Sequence, residues 1–467
     1  MKHALRQLTN SPALTAFALA ALVLLLAAPT AARCDDIDDY LAAQMRWQQI
    51  PGLSLAVVKS GTLMKAQGYG FANLETHTPA NAETAFKLGS LSKQFLASAI
   101  LLLAQDGKLD LATPVAKYLP DAPPAWQAIT VRHLLSHTSG LPREFPEFDP
   151  FKPQSDADML KSVATLPLRF PPGEKWEYSN IGYYALAEII QNVSGQPWSE
   201  FIAARLIAPA GMTATRTTTA SLVPHRASGY AGRGRELQNA PDWPVVRPSG
   251  AFLSTVLDLA KWDAALSSNT ILNDAARVAL WTPVTLNNGT THPYGFGWFV
   301  DAPNGHRRIH HDGGLPGFVA DFERFPDDAL TVIVLANREN RDLRDLALGV
   351  AAFYVPALLS PGDKPIADTE PQITVQIDKI LVGFASGRPD PAPFTPTLGN
   401  TLVAEMSAGM GETLHELGAM PPLQLLERKD EAGERVYRYR VNFRHVPLFV
   451  RCVFDAEDKI SQFAIYD

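Results

Sequence analysis

The sequence predicts an α+β protein with an antiparallel sheet flanked by helices, a helical region, and a small C-terminal α+β domain. Strand-like segments occur early, at 53–70, and again late, at 294–337, with segments of helical periodicity between them. A stretch with several prolines and no periodicity then interrupts the chain at 357–372. Four further strand-like segments follow it. The first observation predicts one sheet assembled from distant segments, and the other two predict a separate domain.

Composition limits the classes of function. The chain has 467 residues, of which 46% are hydrophobic and 19% are charged, and its formal net charge is −7. These values are typical of a globular protein with ample material for a large core. Because there is no basic excess and no cluster of lysine and arginine, we expect no nucleic-acid partner. The oligomeric state stays open.

The first 32 residues have the order of a secretory signal peptide. Lys2 and Arg6 precede the apolar run "ALTAFALAALVLLLAAP", and small residues follow, with cleavage expected after Ala32. The apolar run is shorter than the roughly 20 residues that a membrane-spanning helix needs. We therefore expect a periplasmic or secreted protein without a stable membrane span after cleavage.

The expected main domain, 33–356, contains the following elements in order. A helix at 35–49 precedes a β-hairpin at 53–70, whose turn is Ser60-Gly61. Helical periodicity then predicts helices at 91–105, 155–166, 181–195, 197–209 and 254–266. Strands are expected at 294–300, 306–311, 317–326 and 330–337. A last helix is expected at 341–354.

The expected accessory domain, 373–467, follows a linker at 357–372. A helix at 375–387 precedes strands at 423–429, 435–443, 448–455 and 460–467. In "RVYRYRVNF" apolar and polar residues alternate, which describes a sheet with one wet face. The two cysteines, Cys34 and Cys452, lie near the ends of the mature chain, and either a disulfide or two separate thiols is compatible with the sequence.

"KLGSLSKQF" places Ser90 three residues before Lys93 at the start of a long apolar run. Three residues turn a helix by about 300°, so both side chains share one face within hydrogen-bonding reach. Lys93 could simply extend past its apolar stem to water. Alternatively, it is the base that removes the proton from a nucleophilic Ser90.

Two later stretches favour the second interpretation. "PPGEKWEYSNIGYYAL" places Tyr178 and Asn180 immediately before a helix, where Asn180 could also be an N-cap. "IHHDGGLPGF" places His311, Asp312 and two glycines before a strand, where a glycine turn beside surface histidines is the alternative. Each stretch is common by itself.

In the order Ser-x-x-Lys, Tyr-x-Asn and His-x-Gly, "GSLSKQF", "YSN" and "HDGG" resemble the three motifs of the serine β-lactamase and penicillin-binding protein superfamily. The resemblance covers about 36–354 and is closest to the branch of class C β-lactamases, D-specific peptidases and esterases. "VRHLLSHTSGLP" also resembles a family segment that precedes the tyrosine. The resemblance implies a β-lactamase-like fold.

The resemblance also implies roles for the motif residues. Ser90, Lys93 and Tyr178 are the expected catalytic residues, and Lys93 and Tyr178 both remain candidates for the base, as a coupled pair. The expected substrate-binding residues are Asn180, His311, Asp312 and Gly313, and Asn180 is also expected to hold Lys93 in place. Two backbone N–H groups, those of Ser90 and Gly314, are expected to form the oxyanion hole.

These roles predict an exported serine hydrolase that forms an acyl-enzyme on amide, peptide or ester substrates. The alternatives are a penicillin-binding sensor with slow or no turnover and a cell-wall interaction protein whose C-terminal domain is the active part. Class C β-lactamases have Lys-Thr-Gly where this chain has His311-Asp312-Gly313. A neutral imidazole and a carboxylate facing the cleft would attract a substrate carboxylate poorly, so we expect weak β-lactamase activity. Asp312 could instead point away and pair with Arg307 or Arg308.

No cofactor or metal ion is expected. His133 and His137 are four residues apart, as are His306 and His310, but neither pair lies in a His-Glu-x-x-His pattern or has an evident third ligand. The chain contains no Walker sequence and no complete dinucleotide fingerprint.

Overall fold

The computed structural model describes residues 29–466, with short gaps at 146–148, 150–154, 218–221, 233–235, 244–246, 340, 342, 359–363, 406–410, 432 and 444–445. Most of the expected signal peptide, residues 1–28, therefore lies outside the described residues. Within the described ranges, no helix combines the length and the hydrophobicity needed to cross a bilayer.

The helices and strands have the following bounds. The helices are α1 (Pro29–Gln48), α2 (Lys93–Gln105), α3 (Val131–Leu135), α4 (Asp156–Val163), α5 (Asn180–Ser194), α6 (Trp198–Ile202), α7 (Val256–Leu266), α8 (Asp274–Leu280), α9 (Arg344–Tyr354), α10 (Pro371–Ala385), α11 (Pro396–Glu405) and α12 (Gly411–Glu416). The strands are β1 (Gly52–Lys59), β2 (Thr62–Asn73), β3 (Thr78–Pro79), β4 (Phe86–Lys87), β5 (Arg216–Thr217), β6 (Tyr230–Ala231), β7 (Gln238–Asn239), β8 (Phe252–Ser254), β9 (Val284–Thr285), β10 (Thr291–His292), β11 (Phe299–Asp301), β12 (Arg308–Leu315), β13 (Phe318–Phe325), β14 (Leu330–Ala336), β15 (Leu423–Glu431), β16 (Glu434–Phe443), β17 (Val446–Phe454) and β18 (Ile460–Tyr466).

A seven-stranded antiparallel sheet organises the main domain. Its strand order is β11-β12-β13-β14-β1-β2-β3, so the first strand of the chain pairs with one that follows almost 280 residues later. Every residue of β14 is buried, as are all but one of β1, which explains their continuous apolar sequences. The predicted α+β fold, with a sheet built from distant segments around an inserted helical region, is confirmed.

Helices cover both faces of this sheet. Alternate strand residues such as Ala56, Phe322 and Ile333 pack against the helical region between β2 and β11. Their neighbours, including Val57 and Val334, pack against α1 and α9 on the opposite face. The main domain therefore has three layers, and the helical region lies on one side only.

The C-terminal domain contains a four-stranded antiparallel sheet, β15-β16-β17-β18, with one face covered by α10. Tyr437, Tyr439 and Val441 lie on the buried face, as their alternation predicts. Cys452 lies in the same core as a free thiol.

The second half of the expected linker packs on the C-terminal domain. The backbone N–H of Ile366 donates to Leu425 O at 2.8 Å. Glu370 accepts hydrogen bonds from Arg428 at 2.7 Å and from Tyr437 at 2.9 Å. These residues and the earlier start of α10, at Pro371, therefore make this segment part of the domain.

Candidate active site

The predicted nucleophile and lysine lie in a short turn that leads into α2. Residues Gly89–Ser92 form a 3-10 turn, so α2 begins at Lys93 and not at the predicted Leu91. The turn nevertheless preserves the proximity that the spacing predicts. Lys93 Nζ lies 3.1 Å from Ser90 Oγ and 3.0 Å from the carbonyl oxygen of Ser249, to which it donates.

Lys93 is completely buried. Burial disfavours its charged form and lowers its pKa to about 7, while the carboxylates of Glu144 and Asp312 act to raise the pKa and Arg143 adds to the lowering. The ammonium nitrogen lies 4.7 Å from the centre of the Tyr178 ring. An amine in this environment exists in both protonation states near neutral pH.

Tyr178 lies in an extended segment just before α5. Burial raises the pKa of its phenol, so the hydroxyl keeps its proton at neutral pH. Contact with the Ser90 hydroxyl acts in the opposite direction and lowers the pKa of Tyr178. Ser90, Lys93 and Tyr178 therefore lie together, as the sequence predicts.

Asn180 differs from the sequence-based expectation in two ways. The N-cap of α5 is Ser179, whose hydroxyl accepts from Gly182 N at 3.1 Å, and Asn180 is the first helical residue. The amide nitrogen of Asn180 donates to Glu144, while Lys93 bonds to Ser90 and Ser249 instead. Asn180 thus positions Glu144 beside the lysine, and does not hold the lysine itself.

Strand β12 passes directly beside the nucleophile turn because both contain glycine. A methyl group on Gly313 would lie 1.9 Å from Leu88 O and 3.1 Å from Ser90 N. Gly89 has a φ of +52°, and a methyl group there would lie 2.6 Å from Gly314 N. The backbone around Ser90 and that of Gly314 therefore meet, as two donors of one oxyanion hole must. The strand runs through the third motif rather than starting after it.

His311 is buried and uncharged at neutral pH. Burial is the main reason that its pKa falls to about 4. Its Nδ1 lies 2.6 Å from Asp312 O, and its Nε2 lies 3.2 Å from the Tyr294 hydroxyl.

Asp312 does not face the cleft in the way that the sequence-based argument assumed. Because side chains alternate along β12, Asp312 lies on the α9 face of the sheet, opposite to His311. Its carboxylate is about half exposed and lies 3.8 Å from Arg344, whereas Arg308 pairs with Asp301 and Glu323. The cation beside Asp312 is therefore neither Arg307 nor Arg308.

The structure adds four residues to the site that the three motifs do not identify: Arg143, Glu144, His137 and Tyr294. Arg143 lies 5.1 Å from the Tyr178 ring centre, and Glu144 contacts Asn180. His137 packs against the Tyr178 ring with 4.3 Å between ring centres. The segment "SHTSGLP" was the available signal for His137, but its histidine suggested only a metal ligand.

The candidate metal histidines have separate contacts. His133 Nδ1 accepts from Thr130 N at the start of α3, while His137 bonds to Tyr294. His306 lies 2.8 Å from Asp328 and His310 lies 3.4 Å from Asp301. Neither pair converges on a common point.

Comparison with known proteins gives the relationship of this chain. A family model described as Beta-lactamase matches residues 37–354. Penicillin-binding protein 4* of Bacillus subtilis (strain 168) is 33% identical over 329 residues, which are 66% of this chain and 72% of that protein.

Two solved structures share the fold. The octameric penicillin-binding protein homologue from Pyrococcus abyssi has a TM-score of 0.64 at 20% identity and covers 92% of this chain and 95% of its own. D-amino acid amidase from Ochrobactrum anthropi SV3 has a TM-score of 0.59 at 25% identity, and the match covers 70% of this chain and 96% of the amidase. This chain belongs to the Beta-lactamase family, within the superfamily of serine β-lactamases and penicillin-binding proteins.

Proposed function

We propose that this protein is an exported serine hydrolase that forms an acyl-enzyme at Ser90 on amide, peptide or ester substrates. The observation that carries the proposal is the 3.1 Å contact between Ser90 Oγ and a completely buried Lys93 whose pKa is lowered to about 7. A serine hydroxyl needs such a base because its own pKa is far above neutrality. The similarity to a penicillin-binding protein and to a D-amino acid amidase supports the same chemistry.

In the proposed acylation step, the neutral amine of Lys93 accepts the proton of Ser90, and Ser90 Oγ attacks the substrate carbonyl carbon. The new C–O bond places negative charge on the former carbonyl oxygen, which the N–H groups of Ser90 and Gly314 stabilise. The intermediate then collapses, and the leaving group departs with a proton that reaches it through Tyr178. In the second step, water attacks the ester carbonyl of the acyl-enzyme, the proton transfers run in the opposite direction, and the acyl group leaves Ser90 as the free acid.

Lys93 is the better candidate for the base. Burial lowers the pKa of the lysine to about 7 but raises that of Tyr178. A phenol that keeps its proton can pass protons between the lysine and the leaving group, but it cannot accept one until it has given its own away.

Substrates with a neutral or amine-bearing acyl group fit this site best. The carboxylate of Glu144 is about half exposed, lies 4.0 Å from Arg247 and is close enough to act on Lys93. We propose that a substrate ammonium binds at the exposed side of this carboxylate. The neutral His311 offers no cation to a substrate carboxylate. We therefore propose esters, amides and D-aminoacyl compounds as substrates, with weak β-lactamase activity.

The proposal of export follows from the N-terminal sequence. Among the α1 residues whose burial the structure describes, the first buried one is Ile37, which follows the expected cleavage site after Ala32. The mature enzyme would act in the periplasm or outside the cell.

The test is a hydrolysis panel of p-nitrophenyl esters, D- and L-aminoacyl amides, D-Ala-D-Ala peptides and cephalosporins, run on the wild type and Ser90→Ala. A fluorophosphonate probe should label the wild type, and Ser90→Ala should lose both labelling and turnover while retaining its far-ultraviolet circular dichroism. Activity of Ser90→Ala within tenfold of wild type would contradict the nucleophile assignment. Stable labelling without turnover would support the sensor.

A further inference from the structure

A chain of four hydrogen bonds lies behind the candidate active site. It connects Ser179 N to His137 Nδ1 at 3.1 Å, and His137 Nε2 to the Tyr294 hydroxyl at 3.1 Å. It continues from that hydroxyl to His311 Nε2 at 3.2 Å, and from His311 Nδ1 to Asp312 O at 2.6 Å. His137, Tyr294 and His311 are all at least 99% buried.

The two ends of the chain determine where each proton lies. The backbone N–H of Ser179 can only donate, so His137 Nδ1 accepts and the proton of this neutral ring is on Nε2. His137 therefore donates to the Tyr294 oxygen, and the single Tyr294 proton goes to His311 Nε2. His311 then carries its own proton on Nδ1, which donates to a carbonyl oxygen that can only accept. One arrangement satisfies all four bonds.

This arrangement requires both imidazoles to be uncharged. A second proton on either ring would occupy a nitrogen that already accepts a hydrogen bond, and would break the chain there. Most of the charged and titratable groups around the two rings also act to lower their pKa values. Burial is the largest cause of both lowered pKa values, and Lys93 lowers both further. At His137, Arg143 and His292 add to the lowering. At His311, His310 adds to the lowering and only Asp312 acts in the opposite direction.

The chain of four hydrogen bonds joins the two sides of the cleft. Ser179 immediately follows Tyr178, and Asp312 immediately precedes Gly313 and Gly314 on β12. The ring of His137 also packs on the ring of Tyr178. A change in any member would therefore move the phenol relative to the strand that approaches Ser90.

We propose that His137 and Tyr294 are positioning residues, which hold His311 uncharged and fix the distance between Tyr178 and the oxyanion strand. The inference rests on the proposed hydrolase function. Neither side chain is required to touch the substrate. Because small displacements of a catalytic group can cost about 100-fold in rate, loss of the chain should lower kcat and leave KM nearly unchanged.

The proton arrangement can be measured in the wild-type enzyme. Nitrogen-15 NMR of histidine-labelled protein at pH 7 should show His137 as the Nε2–H tautomer and His311 as the Nδ1–H tautomer, both neutral. A cationic ring or the opposite tautomer at either position would overturn the inference. This measurement does not depend on turnover, so it stays decisive if Ser90 fails the labelling test of the proposed function.

The test variant is Tyr294→Phe, which removes one hydroxyl and leaves the ring. His311 should lose its fixed tautomer, and kcat should fall at least about tenfold while KM stays within about threefold. The matched control is Tyr118→Phe, because the buried Tyr118 hydroxyl accepts from Asp110 N at 2.9 Å and bonds to no member of the hydrogen-bond chain. A Tyr294→Phe enzyme with wild-type tautomers, or with kcat no lower than that of the control, would overturn the inference.

Discussion

At the residue scale, the most informative property is the lowered pKa of Lys93. The neutral amine is the active form, and its fraction rises as pH increases through about 7. We therefore expect kcat/KM of a neutral ester to rise about tenfold per pH unit below this value and to level off above it. A profile without this rise between about pH 5 and pH 9 would contradict the role of the amine.

Lys93→Arg provides the control for that profile. Arginine retains the positive charge but does not lose its proton in this range, so the variant should be nearly inactive at every pH. An active Lys93→Arg enzyme would show that the lysine serves as a fixed charge.

The second residue-scale prediction concerns Asp312. The argument from sequence places the carboxylate of Asp312 against the substrate, and on that basis Asp312→Thr would increase β-lactam hydrolysis. Since Asp312 lies on the α9 face, 3.8 Å from Arg344, we expect the ratio of nitrocefin to ester hydrolysis to change less than about threefold.

The same variant should nevertheless move the pH profile. Asp312 acts to raise the pKa of Lys93, so its removal should shift the rising limb to lower pH. Parallel assays of Asp312→Thr and Arg344→Gln across pH check both expectations. A tenfold gain in nitrocefin hydrolysis by Asp312→Thr would instead support a carboxylate that faces the cleft.

The motif residues could be predicted from the sequence because their chemistry is tied to short spacings. Ser90 and Lys93 are three residues apart, and the 3-10 turn before α2 brings them together. Glu144 and Tyr294 could not be found in this way. They reach the site through long-range packing, and neither lies in a pattern that distinguishes it from an ordinary surface carboxylate or core aromatic residue.

At the element scale, the turn before α2 and the strand β12 form the site by close approach. Sequence predicts α2 and the late strands but not the 3-10 turn, which is a tighter helical turn with i→i+3 hydrogen bonds. The passage of β12 beside this turn depends on glycines whose role is visible only when both backbones are present.

Gly313→Ala tests that close approach. Its methyl group would lie 1.9 Å from Leu88 O, so either the strand or the turn must move. We expect a loss of at least about 2 kcal/mol in the free energy of unfolding and nearly complete loss of labelling at Ser90. Thermal unfolding and probe labelling measure the two effects.

Gly314→Ala is the control for stability. A methyl group there would meet no atom within 4 Å, so the melting temperature should remain that of the wild type. Equal melting temperatures for both variants would contradict the steric argument.

At the scale of the whole molecule, α1 belongs to two cores. Ile37, Tyr40 and Leu41 pack with the sheet and α9 of the main domain. Ala43 lies in the core of the C-terminal domain, and Trp47 packs against that core. Sequence predicts this helix and both domains, but it predicts a free linker between them because the contacts of α1 join segments over 300 residues apart.

These contacts predict how the two domains respond to cleavage. Sequence alone predicts that proteolysis in the linker, around Ser360 to Glu370, frees the C-terminal domain. Since α1 remains buried in both cores, we expect that a chain cut at a protease site replacing 359–363 stays together under native conditions. Gel filtration followed by denaturing electrophoresis should show both fragments in one peak.

Ala43→Asp should convert the cut chain into two separable fragments. Ala43 is 6% exposed, and a carboxylate placed there without a partner would be buried in an apolar core. Ala42→Asp is the matched control because it adds the same charge at the adjacent, partly exposed position. Co-elution of the cut Ala42→Asp fragments beside separation of the Ala43→Asp fragments would locate the attachment at this face of α1. Separation of the cut wild-type chain would instead mean that the C-terminal domain is held by the linker alone.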